Sequence, residues 1–218
     1  MKIENAFGHT IVRVSCPDPD IYLNEDLTKA VHSVLNLPYF KNRKRGFKAD
    51  SQMGNGLTSV GNDYLALINL PGSAKLVKWV AEQMLSAKEI FKINKTESSV
   101  KFKRSWANRL FKGAQGKCHQ HIKVDQYISE LTDYSHVNFR PDIVGIFYAV
   151  VPEGSASLAV INNGREDTVA ADYPEEEKFY IHPVAGELVL HLPDVWHAVT
   201  LHNSESPRDV YVFDADFV

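Results

Sequence analysis

The 218-residue sequence predicts a mainly β protein with flanking helices, built as a sandwich or jelly roll, and two observations carry that expectation. From Ser99 onward, short apolar or alternating segments recur at near-regular intervals with turn residues between them, as strands of an all-β domain do. Ahead of them, two segments repeat their apolar residues at helical spacing, so helices are expected to cover one side of the sheets. No internal repeat or low-complexity tract interrupts the pattern. The division predicted is one domain over 1–218, in which a helix-containing part (1–98) packs on a jelly-roll core (99–218).

Each element has its own local reason. Thr10 to Ser15 alternates as a strand and Pro17-Asp18-Pro19-Asp20 stops it. A helix follows from Asn24, a capping residue, with Leu27, Val31, Val34 and Leu35 on one face and Pro38 as terminator. A second helix is expected from Ser73 to about Phe91, after the Pro71-Gly72 start signal, with Leu76, Val77, Val80, Ala81, Met84 and Leu85 on one face. The segment from Lys41 to Asn62, rich in glycine and polar residues, reads as loop or weak strands and has no phosphate-loop spacing. Predicted strands then run over Ser99 to Trp106, Val144 to Val151, Ser157 to Ile161, Lys178 to His182, Glu187 to Leu192, His197 to Leu201 and Val210 to Phe213.

Composition excludes several classes. With 44% hydrophobic residues the chain can bury a proper core. A formal charge of −3 makes no general case for nucleic acid, and the Lys41 to Arg45 run reads as a solvated loop. The start lacks the apolar centre of a signal peptide and no apolar stretch reaches the roughly 20 residues that span a bilayer. With only Cys16 and Cys118, and no Cys-x-x-Cys motif, a reducing, cytoplasmic setting is expected.

Two constellations carry chemistry. In Cys118-His119-Gln120-His121, residues i and i+2 of an extended strand face the same way, about 6.5 Å apart, so His119 and His121 can chelate one metal while Cys118 points to the opposite face as an inert buried thiol. Further on, Gly186 marks a turn, Glu187 to Leu192 a strand, and Pro193-Asp194 a second turn. His197 then opens another apolar run, with Arg208 eleven residues later. A third histidine on a distant strand of the same barrel makes a metal site, and nitrogen and oxygen ligands on a partly open face suit non-haem iron. Taken alone, Arg208 would cap a surface turn after Pro207. Beside a metal, its planar guanidinium can clamp the far carboxylate of a dicarboxylic acid whose other end chelates the ion. His182, His191 and His202 are read as structural.

These residues resemble a known family. Ser105-Trp106-Ala107-Asn108 with Gly113, His119-x-His121, Gly145-Ile146-Phe147-Tyr148, and Gly186 to Leu190 with Pro193, Trp196-His197 and Arg208 are similar to motifs of the bacterial and phage iron(II)- and 2-oxoglutarate-dependent oxygenases. The resemblance covers most of the chain, most firmly from Trp106 to Phe213. It implies a double-stranded β-helix, with Fe(II) and 2-oxoglutarate as cofactors and O2 as cosubstrate. His119, His121 and His197 are then the metal ligands, Arg208 and Asn108 the cofactor-binding residues, and Trp106, by default a core tryptophan, a pocket or supporting residue on the same strand as Asn108. The activity implied is a dioxygenase reaction: decarboxylation of 2-oxoglutarate to succinate coupled to oxidation of a substrate that the sequence does not identify.

Two departures stand out. Most of the wider superfamily has His-x-Asp or His-x-Glu where this chain has His119-Gln120-His121, so three histidines are the first choice of ligand set and Asp125 the alternative, with Asp133 and His136 to Asn138 behind it. The stretch between His121 and Gly145 is also long, and Tyr127 to Arg140 reads as a lid or a surface excursion. The competing function is a cupin-like metal-binding protein or isomerase without oxygenase activity, which would have no need of Arg208. A third reading is a structural jelly roll with degenerate metal residues.

Overall fold

A computed structural model describes residues 1–37, 55–60, 66–122, 140–166 and 168–218. The chain opens with a hairpin of β1 (Lys2–Ala6) and β2 (His9–Ser15), followed by α1 (Pro19–Tyr22), α2 (Glu25–Leu35), β3 (Gly56–Thr58) and α3 (Ala74–Ala87). Eight strands complete it: β4 (Val100–Leu110), β5 (Gly116–His119), β6 (Ile143–Val150), β7 (Leu158–Ile161), β8 (Lys178–Ile181), β9 (Glu187–His191), β10 (His197–Val199) and β11 (Arg208–Phe217).

These strands form two antiparallel sheets. The larger runs β1-β2-β9-β6-β11-β4-β3 and the smaller β5-β10-β7-β8. From β4 to β11 the chain crosses repeatedly between the sheets, which is the winding of a jelly roll, or double-stranded β-helix. The first 98 residues contribute more than a helical cover. Strands β1, β2 and β3 extend the large sheet at both edges, and β1 went unpredicted because it is mostly exposed. Its hairpin turns on Phe7 and Gly8, whose φ values of 53° and 85° give the two left-handed residues of a type I′ turn.

Side-chain alternation on the large sheet separates two cores. Leu188, Leu190, Phe147, Tyr211, Phe213 and Ala215 face outward and pack with Leu27, Val31 and Leu35 of α2 and with Leu76, Trp79, Val80 and Met84 of α3. Trp79 meets Phe147 edge-on, ring centres 5.9 Å apart. Trp106, Val144, Ile146, Tyr148, Val189, Val210 and Val212 face inward, toward Leu158, Val160 and Ile181 of the small sheet. Because both faces are covered, β6 is an unbroken apolar run rather than an alternating one.

The helix signals hold locally. The Asn24 side chain accepts from the Leu27 amide at 3.0 Å, and α2 stops at Leu35. Helix α3 begins at Ala74, although Ser73 makes no side-chain cap and instead donates to the Ile68 carbonyl at 3.0 Å. No helix among the described residues is long and apolar enough to cross a membrane.

Candidate metal centre

The register of the small sheet sets His119 directly opposite His197 on neighbouring strands, with ring centres 4.4 Å apart. Strand β5 ends at His119, so His121 lies past the strand rather than on it as expected. Its amide donates to the Pro193 carbonyl at 2.9 Å, which returns the chain to the β9–β10 turn. That turn puts the His121 ring 5.4 Å from His119 and 5.2 Å from His197. One ligating nitrogen from each of the three lies within 4.8 Å of the other two, the cluster a single ion can hold.

Hydrogen bonding decides which nitrogen faces inward. The Nδ1 atoms of His119 and His197 lie 2.8 Å and 3.0 Å from the carbonyls of Lys117 and Val195, and a carbonyl only accepts, so each Nδ1 carries the proton. His121 Nδ1 is 2.7 Å from Oδ1 of Asp214 and donates in the same way. With Nδ1 of each ring engaged, Nε2 is the atom left to face the centre. Burial lowers the His119 pKa to about 4, with the nearby His121 ring adding to the effect. Burial likewise holds His197 well below the ordinary 6.5. Neutral imidazoles are the form a metal requires.

His191, set aside as structural, stands closer to this centre than the sequence revealed. It pairs with Val144 across β6 and β9, and its ring is 5.0 Å from His197 and 6.0 Å from His121. Its Nδ1 is bonded to the Leu192 carbonyl, while its buried Nε2 has no partner among the described residues. By contrast, His202 and His182 are engaged elsewhere, with Ser206 and Ser157 respectively. Cys118 is buried, and burial pushes its thiol pKa up, which fits an inert residue. Asp125, Asp133, His136 and Asn138 lie outside the described residues, as does all of the Tyr127 to Arg140 stretch except Arg140.

The inner face of the large sheet forms the other wall. Successive rungs along β11 carry Asp214, Val212, Val210 and Arg208. Asp214 is opposite Arg104 and Val144, Val212 opposite Trp106 and Ile146, and Val210 opposite Asn108 and Tyr148. Trp106 stacks on His121 with ring centres 5.8 Å apart, so the Asn108–Tyr148 rung is one step, about 7 Å, beyond the histidines. Arg208 lies over the Tyr148 ring, Cζ 5.1 Å from its centre, and is only 1% exposed. Its Nε and Nη1, the Tyr148 hydroxyl and Asn108 Oδ1 are all buried without partners among the described residues. Glu187, which acts on Tyr148, is taken by Arg13, whose Nε and Nη2 donate to it at 3.0 and 2.6 Å. Burial lowers the Arg208 pKa against the opposing effect of Tyr148, yet a guanidinium stays charged at neutral pH. A buried cation without an anion is costly.

The sequence matches no protein-family model and no curated protein sequence. Solved structures do match. The carbocyclase SnoK from nogalamycin biosynthesis, described as non-haem and α-ketoglutarate dependent, aligns at TM-score 0.59 with 12% identity, over 94% of this chain and 78% of its own. The viral collagen prolyl hydroxylase of Paramecium Bursaria Chlorella virus-1, in a 2-oxoglutarate complex, aligns at 0.54 with 14% identity, over 95% and 96%. This chain has the fold of the 2-oxoglutarate-dependent oxygenases. HygX from Streptomyces hygroscopicus, with nickel, 2-oxoglutarate and hygromycin B bound, shares the oxygenase fold at 0.53 with 9% identity, over 94% and 82%. At these identities the likeness is one of fold, and the chemistry rests on the residues of this chain.

Proposed function

We propose that the protein is a cytoplasmic non-haem Fe(II)- and 2-oxoglutarate-dependent dioxygenase, an oxidoreductase that uses O2 to oxidise a further substrate. One observation carries the reading: three imidazole nitrogens converge within 4.8 Å inside a jelly roll whose next rungs hold the buried Arg208, which has no ion-pair partner among the described residues. The donor set fits the metal. His119, His121 and His197 each leave Nε2 as the atom available to a metal, and three ligands leave positions open. The cosubstrate also fits, since a dicarboxylate that chelates through one end can bring its other carboxylate to Arg208, with Tyr148 as donor. Asn108 Oδ1 can only accept, so its role is toward a hydroxyl, a water or the substrate. When bound, iron supplies O2 activation coupled to decarboxylation of 2-oxoglutarate.

Other residues of the chain keep that chemistry in place. Backbone carbonyls fix the tautomers of His119 and His197, and Trp106 packs against the face of His121. Val144, Ile146, Val210 and Val212 line the interior and exclude water. His119 is partly exposed while His121 and His197 are buried. A cupin-like metalloprotein without oxygenase activity would share the histidines but leave Arg208 as an uncompensated buried charge.

The test is anaerobic loading with Fe(II) and 2-oxoglutarate, followed by admission of oxygen and measurement of succinate. Native protein is expected to release succinate in an oxygen-dependent manner, and His119→Ala none. Equal traces from the two proteins would overturn the proposal.

A further inference from the structure

We infer that Asp214, clamped by Arg104, is a positioning residue for His121 and supplies from behind that imidazole the negative charge missing among the three neutral ligands. The inference rests on reading His119, His121 and His197 as the metal ligands. Asp214 projects from the inner face of β11 and is fully buried. An isolated carboxylate there would cost several kcal/mol, so its partners define its purpose. Its two oxygens are divided between them: Oδ2 accepts from Arg104 Nε at 2.8 Å and also from Nη2, while Oδ1 accepts from His121 Nδ1 at 2.7 Å. The Arg104 guanidinium supplies the compensating positive charge beside it.

His121 is thereby held from two directions. Asp214 fixes the edge of the ring and Trp106 covers its face at an interplanar angle of 20°. Trp106 is backed in turn by the Arg104 guanidinium, Cζ 5.8 Å from the ring centre. The contrast within the triad is informative. His119 and His197 bond to neutral backbone carbonyls two residues away, whereas His121 alone bonds to a charged group. A carboxylate drawing on the Nδ1 proton raises the electron density at Nε2, so His121 becomes the strongest of the three donors and part of the ion's charge is offset. The carboxylate that a His-x-Asp pattern would place at position 121 is replaced, one hydrogen bond further out, by one from the last strand.

A purely structural ion pair joining β11 to β4 would behave differently, and Co2+ as a probe separates the two. Metal-free native protein, Asp214→Asn, and the double variant Asp214→Asn/Arg104→Gln are titrated with Co2+ against a competing chelator, and their visible absorption bands compared. The double variant removes acid and base together, so no guanidinium is stranded should the single variant fold poorly. Both variants are expected to bind Co2+ about 10–100-fold more weakly and with shifted bands. Native affinity and bands in the double variant would overturn the inference. In Zn2+-loaded native protein, long-range 1H–15N correlation is expected to show a protonated His121 Nδ1, and an unprotonated one would overturn it as well. Native Co2+ binding that survives His119→Ala and His121→Ala would remove the three-histidine reading itself. Binding lost in those variants but unchanged without Asp214 would remove only this inference.

Discussion

Replacing Arg208 with methionine is expected to make the metal-free protein more stable and the cosubstrate complex weaker, two opposite effects of one change. Arg208 is 1% exposed, and its Nε and Nη1 have no partner among the described residues. Among the described residues no ion pair offsets that charge, which costs the unliganded fold several kcal/mol. Methionine fills similar volume without charge, and such exchanges of buried charges for apolar residues gain about 1–4 kcal/mol. For a chain of this size that raises Tm by about 2–4 °C for each 1 kcal/mol. The lost charge-assisted pair with a carboxylate is worth about 2–4 kcal/mol in binding, which is about 30–1000-fold in Kd. Thermal melts with and without 2-oxoglutarate read both effects, since a ligand that binds only the folded state raises Tm by mass action. If Arg208→Met melted lower than the native protein and kept the full 2-oxoglutarate shift, Arg208 would be a structural residue and the argument would fail.

Tyr148→Phe removes a hydroxyl that has no partner among the described residues. The metal-free Tm should stay within about 2 °C of native while 2-oxoglutarate affinity falls about 5–10-fold, for one lost hydrogen bond; equal affinity by calorimetry would exclude the hydroxyl from the site. His197→Ala should lose metal at neutral pH, checked by metal analysis after dialysis, with native stoichiometry as the contrary result. Acid should weaken the metal-free fold. Because His119 falls from 6.5 to about 4 on folding, the unfolded chain binds more protons between those values, so stability declines as pH drops through that window. For His119 alone the difference is about 3 kcal/mol. Urea midpoints equal at pH 7.5 and 4.5 would contradict it.

Much of this protein was legible in its pattern. The periodicity of Leu27, Val31, Val34 and Leu35 found α2, and β6 and β9 emerged as apolar runs because both of their faces are covered. The ends of β11 were hidden for a related reason. Arg208, Asp209 and Asp214 are charged yet buried, so only Val210 to Phe213 looked like strand. The edge strand β1 escaped because exposure removes the apolar signal, although Phe7-Gly8 was a usable turn cue. At the site, residue type and spacing singled out His119, His121 and His197, which the structure brings together, and Arg208, which it buries.

What the sequence by itself determined was the donor set: which atoms can bind a metal and a carboxylate, and on which strands they fall. Tertiary structure alone decided how those atoms meet. No spacing announces that His191 lies 5.0 Å from His197, that Glu187 is taken by Arg13 while Nε and Nη1 of Arg208 have no partner among the described residues, or that Asp214, 93 residues from His121, bonds to its Nδ1. The physical reason is that strand pairing joins residues distant in the chain, and the partner of a buried charge is set by that pairing rather than by its sequence neighbours.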